Sequence, residues 1–283
     1  MSSKFIRAYA HGNRAIVNGD CSVVNSYFRL LKLAAGQSER FTLETFECVA
    51  VVMSGSADIV VAGELFAAVG KRRDIWSGKA DSVYCGRGRD VVINALSDVE
   101  IALAGCRSQA DYPAFRVTPE EVDMVDVGSP ETKSHRRIFH ILGHNGAGRS
   151  GNLLVSELYA DEGCWSGYPP HKHDTDDGEV ETAHEEVYHY RFNPPTGFGA
   201  QYCYEKDADG KIVDAQVHMT REGDTFCFDS GYHPTATSPG HAEYIFTILV
   251  GKTQRSLVQR FDAEHRHLTS RIPGIADMFA KFK

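Results

Sequence analysis

No apolar run in these 283 residues approaches the roughly 20 that a membrane-spanning helix needs. The opening stretch, MSSKFIRAYAHGNRAI, has no signal-peptide core. A soluble, cytoplasmic protein is expected. Basic charge is also short, with 30 Lys and Arg against 38 Asp and Glu for a net charge of −8. Nucleic acid and anionic membrane surfaces are therefore excluded as expected partners, since both call for a basic face. The seven cysteines are odd in number, irregularly spaced and without a Cys-x-x-Cys, which reads as buried, reduced thiols and not as a disulfide framework. Helical periodicity is missing until the last residues, where Ile275, Met278, Phe279 and Phe282 recur at helical spacing after Pro273-Gly274.

What is present is β structure. A hydrophobic content of 42% suits one large or two ordinary domains. In the first half, SYFRLLKL, CVAVVMSG, ADIVVAG and DVVINAL are punctuated by Gly, Asp and Ser, and Gly36-Gln37 looks like a turn between strands. In the second half LLVSELYA, VYHYRF, GAQYCY, AQVHMT, DTFCF and YIFTILVG repeat the logic. The expected architecture is all-β, two copies of one antiparallel barrel. The expected divisions are 1–115 for the first barrel, 116–150 for a linker with one strand near 137–142, 151–260 for the second barrel and 261–283 for a helical tail. Gly146 to Gly151 spell Gly-x-Gly-x-x-Gly, but the strand-like Asn152 to Leu158 follows where a dinucleotide site needs a helix, so a turn is expected. His265 and His267 are expected on an exposed surface with no acidic ligand close by.

The chemistry concentrates in residues 168–197, YPPHKHDTDDGEVETAHEEVYHYRFNPPTG. On a strand, His171 and His173 point to one face. Alone, such a pair also arises as two exposed strand residues. Glu186 then opens an alternating run, and residues 223–233 bring His233 just past a Gly turn. Three imidazoles and one carboxylate suit a single divalent ion, Zn or Mn first, with Fe or Ni as alternatives. Parity selects Glu186 over Glu185, because Glu186 inward carries Tyr188, Tyr190 and Phe192 inward as an aromatic wall. Glu185 is left either supporting the ligands or facing substrate. The acidic insertion 174–185 is expected to be a solvated loop. His-x-His, a strand-opening Glu and a Gly-bounded strand with a final His resemble the two-part pattern of the cupin barrel, so the fold class implied is a bicupin of two jelly-roll barrels. In the first copy Cys48 falls in the ligand slot with no His-x-His before it, so that barrel is expected to bind no metal and to serve packing or assembly of a homo-oligomer.

A closer resemblance rests on Tyr168-Pro169-Pro170-His171-Lys172-His173-Asp174, Glu185-Glu186, Tyr188, Arg191, Asn193-Pro194-Pro195, Gly197-Phe198, Gln201 and Gly231-Tyr232-His233-Pro234. These residues look like those of the 5-deoxy-glucuronate isomerases of bacterial myo-inositol catabolism, bicupins related to the 5-keto-4-deoxyuronate isomerases. The chain departs from that family in Tyr188-His189-Tyr190-Arg191, in Gln201-Tyr202 and in the tail beyond Arg260. The resemblance implies a small sugar-acid substrate and aldose–ketose exchange aided by a metal. Glu185, Tyr188, His189, Tyr190 and Tyr232 are then candidates for moving the proton. Lys172, Arg191 and Gln201 are candidates for holding the substrate, Arg191 by a two-pronged bond to its carboxylate. An isomerase of another uronic acid, a cupin dioxygenase and a sugar-acid binding protein without turnover are the alternatives.

Overall fold

The computed structural model describes residues 4–8, 12–20 and 22–281, the last three by backbone alone. The described strands form five antiparallel sheets. In the first half a six-stranded sheet runs in the order Phe115–Val117, Asp81–Cys85, Phe46–Ser54, Val99–Arg107, Ser26–Leu33, Ala15–Asn18. It faces a four-stranded sheet ordered Ser38–Thr42, Asp90–Ala95, Ala57–Val61, Glu64–Val69. Ala57–Val61 and Asp90–Ala95 alternate buried and half-buried positions, because only one of their faces meets the core. Leu31, Val52, Ile59, Ile93 and Leu103 fill the space between these sheets.

The second half repeats this plan. A seven-stranded sheet runs Lys4–Ile6, Thr225–Phe228, His184–Asn193, Ala242–Gly251, Leu153–Ala160, Arg136–Leu142, Asp123–Val127. Opposite lie Trp165–Ser166, Thr235–Thr237, Phe198–Lys206 and Ile212–Arg221, and a two-stranded ribbon pairs His171–Lys172 with Arg260–Phe261. Tyr188, Tyr190, Phe192, Phe226, Phe228 and Leu249 form this unit's core, and Ile275 and Met278 of the helix Ile275–Lys281 pack onto it. Phe282 and the side chain of Phe279, expected on the same helical face, lie outside the described residues.

The two large sheets also pack on each other. Phe28, Leu30, Val51 and Met53 of one meet Val155, Val187, Phe246 and Ile248 of the other. Strands covered on both faces cannot alternate, which is why Phe46–Ser54 and Ala242–Gly251 are buried almost throughout. Polar ties cross the same plane. Arg72 grips Glu157 through two bonds of 3.0 and 2.5 Å, and Gly151 N donates to Glu47 Oε2 at 2.8 Å.

Three local expectations change. The 116–150 segment carries two strands, Asp123–Val127 and Arg136–Leu142, where one is expected. Lys4–Ile6 leaves the first half and pairs with Thr225–Phe228, covering what is otherwise an open sheet edge. The 174–185 insertion is not simply a solvated loop: its second half, Glu181 to Glu185, is buried. Glu181 takes bonds from Lys172 Nζ (2.9 Å), Asp174 N (2.8 Å) and Arg260 Nε (2.6 Å), so the loop is tied to the ribbon. Residues 146–151 form a turn that leads into Leu153–Ala160.

Candidate metal centre

Glu186 lies on the strand His184–Asn193, opposite Phe228 of Thr225–Phe228. His171 lies on the ribbon, opposite Phe261, and His173 follows one residue past it. His233 follows a turn at Gly231, where φ is +86° and a Cβ would stand 3.0 Å from Tyr204 O, so both backbone conformation and space favour glycine. The donor atoms of His171, His173 and His233 all lie within 4.8 Å of one another. Glu186 Oε2 sits 3.1 Å from both His173 Nε2 and His233 Nε2. All four residues are buried.

The imidazoles are held in one tautomer. His171 Nδ1 donates to Pro169 O (3.1 Å), His173 Nδ1 to His184 O (3.3 Å) and His233 Nδ1 to Gly231 O (2.8 Å). Each Nε2 is thereby turned inward, the atom through which imidazole binds a metal. Burial, and then the neighbouring imidazoles of His233 and His173, push His171 down to about 3. Burial alone would raise the Glu186 carboxyl, but the adjoining His173 and His233 outweigh it and hold the group below its ordinary range. His233 Nε2 is buried and, despite its approach to Glu186, makes no hydrogen bond. A buried nitrogen without a partner, two more imidazoles and a charged carboxylate fit a divalent ion, whose bonds would satisfy all four donors.

Around the four donors the strand parity holds as expected. Tyr188, Tyr190 and Phe192 share the interior with Glu186. Burial, and then the Glu186 charge, raise the Tyr188 phenol well above its ordinary value, so it stays protonated. Glu185 and His189 emerge on the opposite face of the strand, against the first half of the chain. Glu185 accepts from Asn25 N (2.9 Å), Asn25 Nδ2 (2.9 Å) and Ser26 Oγ (2.8 Å). His189 Nδ1 is 3.0 Å from Thr225 Oγ1, and its ring lies 5.3 Å from that of Phe28. Arg191 pairs with Glu222 and Glu100. The structure does not bring these three to the centre, because residues an odd number of positions from Glu186 point to the other side of the sheet.

Gln201 does point inward, but it is fully engaged. Its Nε2 shares two N–H groups among Tyr202 O (2.8 Å), His233 O (2.9 Å) and Pro234 O (3.1 Å), and its Oε1 accepts from Tyr190 Oη (2.7 Å). It braces the His233 turn. Lys172 and Tyr232 line a cavity of about 730 Å³ on the outer side of the histidines, together with Asp174, Glu181, Lys206 and Asp262. Lys172 Nζ meets Asp174 Oδ1 at 2.5 Å, and these carboxylates outweigh burial to hold the ammonium above its usual range. Tyr232 stacks on Tyr204, with ring centroids 5.0 Å apart.

Three features escaped the sequence reading. Gln259 Nε2 lies 3.0 Å from His171 Nε2. Arg136 is entirely buried and donates to Ser134 O (2.8 Å) and Tyr168 O (2.7 Å), with no carboxylate partner among the described residues; burial lowers it to about 10. His265, expected to lack acidic neighbours, shares a cluster with Asp262 and Glu264, donor atoms within 4.8 Å, although Asp262 is already bonded to Tyr204 Oη and Lys206 Nζ. No periodic signal marks Gln259 or Arg136. Gln259 acts on His171, 88 positions away, and Arg136 on Tyr168, 32 positions away.

A sequence model of the KduI/IolB family matches residues 6–268. The chain belongs to the KduI/IolB family. The match runs past Arg260, so family likeness extends into the tail that looks divergent by sequence. A 5-deoxy-glucuronate isomerase of Geobacillus kaustophilus is 32% identical over 79% of this chain and 79% of its own length. Among solved structures, an IolB-like protein of Salmonella typhimurium superposes with a TM-score of 0.85 at 26% identity, covering 95% of this KduI/IolB chain and 99% of the other. Oxalate decarboxylase of Bacillus subtilis, a protein with Mn(II) centres, shares the fold at a TM-score of 0.57 and 13% identity, over 84% of this chain and 71% of its own.

Proposed function

We propose that this KduI/IolB protein is a metal-dependent aldose–ketose isomerase of a deoxy uronic acid, converting 5-deoxy-glucuronate to 2-deoxy-5-keto-gluconate in inositol catabolism. The observation that carries the reading is the convergence of three inward Nε2 atoms and the Glu186 carboxylate beside a polar cavity lined by Lys172 and Tyr232. The name of the Geobacillus relative supplies the substrate, and the Mn(II) of oxalate decarboxylase supports manganese beside zinc as the ion. A cytoplasmic homo-oligomer belongs to the same proposal.

Aldose–ketose exchange moves one proton from the hydroxyl-bearing carbon to the neighbouring carbonyl carbon and a second from one oxygen to the other. A divalent ion at the four donors supplies the Lewis acidity that makes the first proton removable. His171, His173 and His233 contribute the Nε2 atoms that their Nδ1 bonds turn inward, and Glu186 contributes its charged carboxylate. Of the five proton-transfer candidates, Tyr188 and Tyr190 remain on the site's side of the sheet, and Tyr232 lies at the outer cavity. Tyr232 Oη, at the cavity wall, is assigned the proton shuttle. Tyr190 Oη is committed to Gln201, and Tyr188 is buried and engaged by the Glu186 carboxylate. Lys172 Nζ is the cation assigned to the substrate carboxylate, in place of Arg191.

The test is turnover in deuterated water, followed by NMR over a panel of uronic and deoxyuronic acids. Deuterium should appear on the carbon that receives the proton, without added oxygen or nicotinamide. Activity that depends on either would refute the isomerase reading and, for oxygen, return the dioxygenase alternative.

A further inference from the structure

We propose that Gln259 is a substrate-binding residue of this site: its carboxamide holds the adjacent carbonyl and hydroxyl of the sugar acid, and it is not a ligand of the ion. The assignment rests on the isomerase reading above.

Gln259 is placed on the centre by its neighbours on both sides. Before it, Leu257 is buried and Val258 exchanges bonds with Thr182, its N donating to Thr182 Oγ1 (2.9 Å) and its O accepting from Thr182 N (3.1 Å). After it, Arg260–Phe261 pairs with His171–Lys172, and Asp262 N donates to Pro170 O at 2.9 Å. The strap begins at Gly251, where a Cβ would fall 1.7 Å from Gln254 O, so only glycine admits the turn. A side chain between two such anchors has little freedom to swing out. Gln259 also lines a second cavity, of about 1020 Å³, whose wall Tyr232 shares. It therefore stands between open space and the imidazoles.

Its hydrogen bonding is incomplete. His171 Nδ1 donates to Pro169 O, so His171 Nε2 is an acceptor, and the Gln259 amide N–H donates to it across 3.0 Å. Gln259 Oε1 is buried and has no partner. The His171 lone pair cannot serve an ion and the amide together. In the metal-loaded protein the amide has a free N–H beside an already free C=O, both sheltered from water, where each unmet group costs about 1–3 kcal/mol. An α-hydroxy carbonyl compound answers both, its carbonyl oxygen accepting from Nε2 and its hydroxyl donating to Oε1. Coordination by Oε1 is the weaker account, since three imidazoles and a carboxylate already complete the donor set and a neutral carboxamide adds little to it.

The test uses full-length protein loaded with Zn, in the wild type, Gln259→Leu and Gln259→Asn. Metal affinity is read by competition with a chelator, and binding of 5-deoxy-glucuronate by titration calorimetry. Gln259→Leu should keep metal affinity within about threefold and weaken sugar-acid binding about tenfold or more, the loss expected for two neutral hydrogen bonds. Gln259→Asn, one methylene short, should weaken it by a smaller factor and decides the matter if the leucine variant does not fold. A tenfold fall in metal affinity in either variant would make Gln259 a ligand. Unchanged sugar-acid binding would make it only a cap on His171. A wild type that binds none of the uronic acids overturns the isomerase reading itself, and this assignment with it.

Discussion

Replacing Gln201 by leucine should loosen the metal without touching any of its four donors. The side chain is wholly buried, and leucine has nearly its volume, so packing changes little. What goes is the brace: the bonds to His233 O (2.9 Å) and from Tyr190 Oη (2.7 Å). Pro234 O keeps a donor in Tyr202 N, at 2.9 Å, and the lost bond to Tyr202 O is only part-buried, so two buried groups, His233 O and Tyr190 Oη, are left unmet. At about 1–3 kcal/mol for each, folding stability should fall by about 2–6 kcal/mol. The same change frees the turn that aims His233 Nε2, and loss of a partner that orients a metal ligand commonly lowers affinity about 10- to 100-fold. Urea unfolding of the metal-free protein reads the first quantity and chelator competition the second. Metal affinity within twofold of the wild type, in a variant that is destabilised, would show that the His233 turn needs no brace and that Gln201 serves packing alone.

His173→Ala should lose bound metal and activity together, measured by metal analysis of the purified protein, whereas Cys48→Ala, in the core of the first half, should leave metal content unchanged. Arg72→Met should cost about 3–5 kcal/mol in urea unfolding, because it strands the buried Glu157 carboxylate with Tyr244 Oη, 2.9 Å away, as its remaining partner; a loss under 1 kcal/mol would mean that Glu157 finds another. Burial holds His189 down to about 3, so this group favours folding fully above its unfolded value near 6.5 and progressively less as pH falls toward 3. His189→Phe should therefore flatten the decline in stability between pH 6.5 and 4, and an unchanged slope would place the acid sensitivity elsewhere.

The candidate donor set was legible because its geometry is local. Side chains alternate across a strand with a period of two, so choosing Glu186 over Glu185 also places Tyr188, Tyr190 and Phe192, and the structure keeps all four on one face. Glu185, His189 and Arg191 were nominated for their chemistry against that same parity, and the structure turns them away. The all-β class was equally open to reading, since turn residues at short intervals leave no length for helices. Asp123–Val127 went unread because its alternation is broken by charge.

By itself the sequence determined which atoms could bind an ion and which face of the strand would carry them, because both follow from residue type and from spacing within a few positions. Only the tertiary structure decided what those atoms meet. Gln259 reaches His171 across 88 positions, Glu185 is taken by Asn25 and Ser26 at 160 and 159, and Lys4–Ile6 crosses the whole chain to pair with Thr225–Phe228. Such contacts are set by the path of the connections and by the packing of one sheet on another, and no repeat along the chain encodes them.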